Sequence, residues 1–289
     1  MFLLTKDQFN RLLRIWLFRL TSASVLDTAS HDEKILTLFV ATIDRYIDIS
    51  PEGLYEGVKL AAEFDKHSKG DEYSEEDVIS TLQQTIIDQK EAPQPVTTAT
   101  NVLQVLVNRI FDPQRPDRLD IAPTSLGIIH KFLSRWFQTQ DEFQEKVGGA
   151  SAIVAEELSR LGLPNVTLWL RYLSDIQASA FNSPIAFLQI DDPCQISTVP
   201  IQTASRPDDP TIINYSLEFR EGIEFKWLSD KNSNPLKASK SDRVIAICPG
   251  YQHFRTDGSV KSVVVPPLTH LLTSIKKTDH SCIGESDHE

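Results

Sequence analysis

The chain has 289 residues, 40% of them hydrophobic and 24% charged, which is enough to bury a sizeable core as one large or two modest domains. Its net charge of −11, with no lysine or arginine block, excludes a phosphate-backbone partner on electrostatic grounds, so no nucleic acid is expected. Cys194, Cys248 and Cys282 lie far apart with no Cys-x-x-Cys pair, a usage that fits a reducing, cytoplasmic compartment and shows no zinc motif.

Residues 1–34 contain "QFNRLLRIWLFRLTSASVL", where Phe9, Leu12, Leu13, Trp16, Leu17 and Leu20 recur at helical spacing among Arg11, Arg14 and Arg19. Two readings stay open: an amphipathic helix docked on the domain, or a basic targeting or membrane-surface helix that would direct the chain to an organelle. A membrane span is not expected, because charges interrupt every window approaching about 20 residues. "ILTLFVATI" (35–43) reads as the first strand. A charged, helix-rich stretch follows from about Gly53 to Phe143. Within it, Ser74 and Asp77 form an acidic capping box ahead of Val78, Leu82 and Ile86. The segments 90–99 and 111–125 are proline-punctuated connectors.

Gly148 and Gly149 stand at the mouth of the next helix, a place where backbone N–H groups can approach a ligand. The pair is equally compatible with an ordinary loop. Val154, Leu158 and Leu161 form the expected buried stripe of that helix, Glu156, Glu157 and Arg160 its exposed side, and Gly162 and Pro164 its stop. "NVTLWL" follows as a strand, giving the alternation of a parallel α/β sheet. Downstream, "IAFLQI", "ISTVPI", "TIINYSLEF" and "IEFKWL" are four short strands, expected to form an inserted β lid over residues 184–235. The expected organisation is therefore an N-terminal helix and linker (1–34), a three-layer α/β core (35–183, resuming at 236–277), the lid, and a disordered tail (278–289). His280, Cys282, Glu285, Asp287 and His288 in that tail lack metal-ligand spacing.

Three stretches resemble the ADP-dependent sugar kinases, the glucokinases and phosphofructokinases of the ribokinase-like fold. "LFVATID" resembles the family's first strand with its Asn-x-x-x-Asp sugar-binding sequence; Asp44 matches the aspartate, and Val40 stands in place of the asparagine. "VGGASAIVAEELSRLG" is similar to the Gly-Gly-Asn-Ala helix start. "INYSLEFREGIEF" and "LKASKSDRVIAIC" resemble the lid strand and the Ala-Pro-x-x-Asn-Arg-Phe-Ile stretch, with Asp242 replacing the asparagine. The resemblance implies Asp44 on sugar hydroxyls, Gly148 and Gly149 as the backbone wall of the same cleft, Asn214 and Glu218 on the lid face, and Arg243 toward phosphate. It also implies a sugar or sugar phosphate as substrate, ADP as donor and Mg2+ as cofactor.

The family's C-terminal Gly-x-Gly-Asp, which supplies base and anion cradle, does not occur in these residues; the lone Gly-Asp is Gly70-Asp71. Two expectations follow: a kinase represented by its sugar-binding half, lacking the nucleotide-binding part, or a non-catalytic relative acting as a binding module. No catalytic base is identified in either case. No Gly-x-Ser-x-Gly elbow supports a hydrolase.

Overall fold

A computed structural model describes residues 35–38, 41–115, 119–163, 166–170, 172–192, 195–238, 242–247, 252–254 and 260–262. The N-terminal amphipathic segment and the tail lie outside the described residues. The chain divides into two compact units, one containing Gly148–Asp209 together with residues up to Ala41, the other Thr42–Val147 with Pro210–Val263.

In the first unit, strands β1 (Ile35–Leu38), β4 (Val166–Trp169), β5 (Ala186–Asp192) and β6 (Gln195–Pro200) form one sheet in the order β1-β4-β5-β6. β4 runs parallel to both β1 and β5, and β6 closes the edge antiparallel to β5. All four residues of β4 are buried, as expected of a parallel strand covered on both faces. Helix α5 (Ala150–Arg160) packs on β1 and β4. Its buried positions are Ala152, Ala155 and Leu158, not the expected Val154–Leu158–Leu161 stripe. The helix ends at Arg160, so Leu161 lies past the last helical position and is 66% exposed. Glu156 is half-buried rather than exposed, because its carboxylate accepts from Asn182 N–H and the Ser183 hydroxyl. Helix α6 (Asp175–Ala180) and the single turn α7 (Ile201–Ala204) complete the unit, and Ser174 with Gln177 makes a capping box at the start of α6.

The second unit lays four helices against a sheet. They are α1 (Pro51–Lys69), α2 (Glu75–Ile87), α3 (Ala99–Phe111) and α4 (Leu126–Gln138). Local signals start each of the first three. Ser50 caps α1 with Pro51 in the first turn, the Ser74–Asp77 box caps α2, and Thr98 caps α3. The buried carboxylate of Asp65 accepts the Ala99 and Thr100 N–H groups, satisfying donors that the start of α3 leaves unpaired. Trp136 of α4 donates its indole N–H to the Gly53 carbonyl at 2.9 Å, stacks on Phe132 and lies against Gly57.

The sheet of this unit follows the order β10-β7-β2-β3, built from β2 (Thr42–Asp48), β3 (Gln144–Gly148), β7 (Ile213–Phe219) and β10 (Asp242–Ile247). β2 and β7 are parallel; β10 is antiparallel to β7. Strands β8 (Glu224–Ser229) and β9 (Pro235–Lys237) form a separate hairpin, as do β11 (Gln252–Phe254) and β12 (Val260–Ser262). Two expectations about strand placement therefore change. The run 35–43 is two strands in different sheets, and the 184–235 segment is shared: β5 and β6 extend the first unit's sheet, whereas β7 and β8 belong to the second unit. Alternation reveals which face of a strand is apolar but not which strand it pairs with, and that pairing is the nonlocal part of a sheet.

Candidate functional site

Period-two alternation on β2 and β7 gives the second unit's sheet two unlike faces. Ile43, Arg45 and Ile47, with Ile213, Tyr215, Leu217 and Phe219, are buried on the face that meets α4, where the Tyr215 ring packs edge-on against Phe137 at 5.0 Å. Thr42, Asp44, Tyr46 and Asp48, with Asn214, Ser216 and Glu218, alternate onto the other face, which is polar and partly open.

On that polar face Asp44 and Asn214 are cross-strand partners in the parallel register. Asp44 Oδ1 accepts from the Thr42 hydroxyl at 2.8 Å and from Asn214 Nδ2 at 2.8 Å. Among the described residues, Oδ2 receives only a long 3.4 Å contact from the Tyr46 hydroxyl. One carboxylate oxygen is thus committed to holding the side chain, while the other keeps acceptor capacity. The arrangement offers an oriented anionic acceptor and, in Asn214, an amide whose oxygen faces no bond described in the structure.

Glu218 stands four residues further along the same face of β7, in register with Asp48 of β2 and with Arg243 of β10. Asp48 is engaged by Arg220, whose Nε donates at 3.1 Å and whose guanidinium also reaches Glu142; the bond to Asp48 holds the arginine above its usual pKa. Lys146 of β3 brings its ammonium to 5.8 Å from the centre of the Tyr46 ring and has no carboxylate partner among the described residues. The sequence reading missed Lys146. Its signal in the sequence is "QEKVGG", where a short strand with a lone lysine runs into the glycine pair.

Gly148 is the buried last residue of β3, and Gly149 precedes α5 with φ 86° and ψ 130°. A side chain at that φ would be strained, so the turn requires glycine. Among the described residues no side chain caps α5, unlike the helices that Ser50, Ser74 and Thr98 cap.

Behind the polar face, Arg45 is buried and multiply bonded. Its Nε donates to Glu145 at 2.8 Å, and its Nη1 donates to the Ser134 hydroxyl at 2.8 Å and to the Tyr215 hydroxyl at 3.4 Å. The Tyr215 hydroxyl also shares a 2.8 Å bond with His130 Nδ1. Burial, and secondly the nearby Arg45 charge, lowers the His130 pKa to about 4, so this imidazole is neutral at physiological pH. Among the described residues no group of three or more His, Cys, Asp or Glu side chains is disposed to hold a metal ion. No described helix is long and apolar enough to cross a membrane.

The solved structures that this chain matches are ADP-dependent phosphofructokinases. A hypothetical ADP-dependent phosphofructokinase from Pyrococcus horikoshii OT3 superimposes with a TM-score of 0.53 at 20% identity, over 74% of this chain and 41% of that one. The last common ancestor of the ADP-dependent phosphofructokinases from Methanosarcinales also gives 0.53, at 18% identity, over 81% and 43%. The fold is therefore the ribokinase-like α/β fold of these proteins. In sequence, the ADP-specific phosphofructokinase of Pyrococcus abyssi is 30% identical over 114 residues, 39% of this chain and 25% of that protein. That of Pyrococcus horikoshii is 28% identical over 105 residues, 36% and 23% respectively. No protein-family model matches the chain. Over these stretches the chain is similar to the ADP-specific phosphofructokinases, and the matched part spans about a quarter of the length of those curated relatives.

Proposed function

We propose that this chain carries the sugar-binding part of an ADP-dependent sugar kinase of the phosphofructokinase type, acting on a sugar or sugar phosphate. The observation that carries the reading is the state of Asp44: Oδ1 is tied down by Thr42 and Asn214, and Oδ2 is left to accept from a sugar hydroxyl. A positioned carboxylate beside an amide gives a vicinal diol the acceptors and donors it needs. Asn214 and Glu218 are proposed as the sugar's polar neighbours on the same sheet face; a role for Gly148 and Gly149 toward sugar is assigned through the resemblance alone. Arg243 is assigned to phosphate through the resemblance. Lys146 is added because it is an exposed cation on the edge strand beside Asp44, suited to an anionic substrate.

ADP as donor is proposed from the ADP-specific phosphofructokinases the chain is similar to, and Mg2+ as its companion from the family resemblance alone. When bound, the ion would neutralise charge on the transferred phosphoryl group. What these residues themselves do is orient the acceptor hydroxyl. The second reading is a binding module that uses the same anchored Asp44 without turnover. Calorimetric titration of the purified chain with fructose 6-phosphate and with glucose tests the shared premise: saturable binding of at least one sugar supports it, and binding of neither refutes it. A coupled assay with ADP, Mg2+ and the bound sugar then separates kinase from binding module.

A further inference from the structure

We infer that Arg45 is a positioning residue for the Asp44–Asn214 pair: from the helix-facing side of β2 and β7 it sets the cross-strand geometry in which the two side chains meet. The inference rests on the reading of Asp44 and Asn214 as sugar contacts.

Arg45 is an anomalous occupant of its position. It alternates with Ile43 and Ile47 on a buried face, and its side chain is only 9% exposed. An aliphatic residue there would avoid the cost of desolvating a guanidinium, and replacing buried ion pairs by apolar groups is often neutral or stabilising. What an aliphatic residue could not do is bond directionally to three elements at once. Arg45 reaches Glu145 on β3, Ser134 on α4 and the Tyr215 hydroxyl on β7, and Tyr215 is itself bonded to His130 on α4. The guanidinium also lies over the rings of Tyr215 and Phe143, at 5.8 and 6.0 Å from their centres.

The geometry connects this network to the site. Arg45↔Tyr215 is the register pair adjacent to Asp44↔Asn214. Any roll of β2 relative to β7 moves Asp44 on one face as it moves Arg45 on the other. The Asp44–Asn214 bond is 2.8 Å, and such bonds weaken beyond about 3.2 Å, so a small roll suffices to release the carboxylate. A rigid fork bonded to β3, β7 and α4 opposes that roll, whereas lysine, a point charge on a flexible stem, opposes it less.

A double-mutant cycle tests the inference, with the dissociation constant for fructose 6-phosphate read by calorimetry and folding checked by thermal melting. Arg45→Met is expected to weaken binding by about tenfold in the wild-type background and by less than about twofold in Asp44→Asn, because the anionic acceptor that Arg45 positions is then absent. Arg45→Lys keeps the charge without the fork and is expected to remain weaker than wild type. If Arg45→Met fails to fold, Tyr215→Phe removes one hydroxyl of the network while keeping its ring, and the same non-additivity is expected. Equal losses in both backgrounds, or wild-type binding by Arg45→Lys, would overturn the inference while leaving the sugar site intact. Unchanged binding by Asp44→Asn alone would instead overturn the site reading on which the inference depends.

Discussion

Asp44→Asn probes the site with almost no change in shape. In the native protein Oδ1 accepts from the Thr42 hydroxyl and from Asn214 Nδ2, both at 2.8 Å. An asparagine at 44 satisfies both donors by turning its amide oxygen toward them, and this points its NH2 group where Oδ2 stood. The two structural bonds survive as neutral ones, and a partly exposed residue loses little, so stability is expected to fall by about 1 kcal/mol or less. Binding suffers more, because the position facing a sugar hydroxyl changes from an anionic acceptor to a donor. A hydrogen bond to a charged group contributes roughly 1.5–3 kcal/mol, which corresponds to a loss of about 10- to 150-fold in affinity. Calorimetry with fructose 6-phosphate reads the loss, and a urea titration of the same sample reads the stability. Affinity within about twofold of wild type would refute the assignment, as would a stability loss large enough to account for the weakened binding.

Three further outcomes follow from other parts of the structure. Lys146→Met is expected to weaken binding of fructose 6-phosphate by up to about fivefold and leave a neutral sugar unaffected, the size expected of an exposed charge interaction; equal effects on both ligands would remove Lys146 from the phosphate. Gly57→Ala places a methyl carbon 2.6 Å from Trp136 Cε2 and Cζ2, so the rigid indole must move; a loss of about 1–3 kcal/mol in urea is expected, and a neutral result would mean α1 and α4 pack more loosely than described. His130 has a folded pKa of about 4 against an ordinary 6.5, so the unfolded chain binds the extra proton between those values and stability falls as pH drops from 6.5 toward 4. The decrease is up to about 3 kcal/mol, and His130→Gln is expected to flatten it in this window. Asp77, Asp88 and Asp230, whose hydrogen bonds hold their pKa values below the ordinary 3.8, contribute stability that is lost only at lower pH.

The local features of this chain were legible as sequence because short-range chemistry decides them. Ser74 and Asp77 form the expected capping box, and Val78, Leu82 and Ile86 form the expected buried face of α2. Gly149 occupies a backbone conformation that the glycine pair allows and other residues resist. Alternation in "INYSLEF" is the alternation observed on β7, save that Ser216 is buried as well. The tertiary structure decided what depends on contacts between distant residues. Asp44 meets Asn214 across 170 positions of sequence, and only the parallel pairing of β2 with β7 brings them together. Pairing with β4 likewise places β5, and β6 beside it, in one sheet, while pairing with β2 places β7 in another, although all three read alike as short apolar strands. Arg45 is the sharpest case, since a charged residue in an alternating strand reads as solvent-facing, and it is buried here because Glu145, Ser134 and Tyr215 converge on it from three other elements. A sequence records which groups a residue carries and what its near neighbours are. Which partners compensate a buried charge, and which oxygen of a carboxylate stays open, are settled only when strands and helices far apart in the chain are packed together.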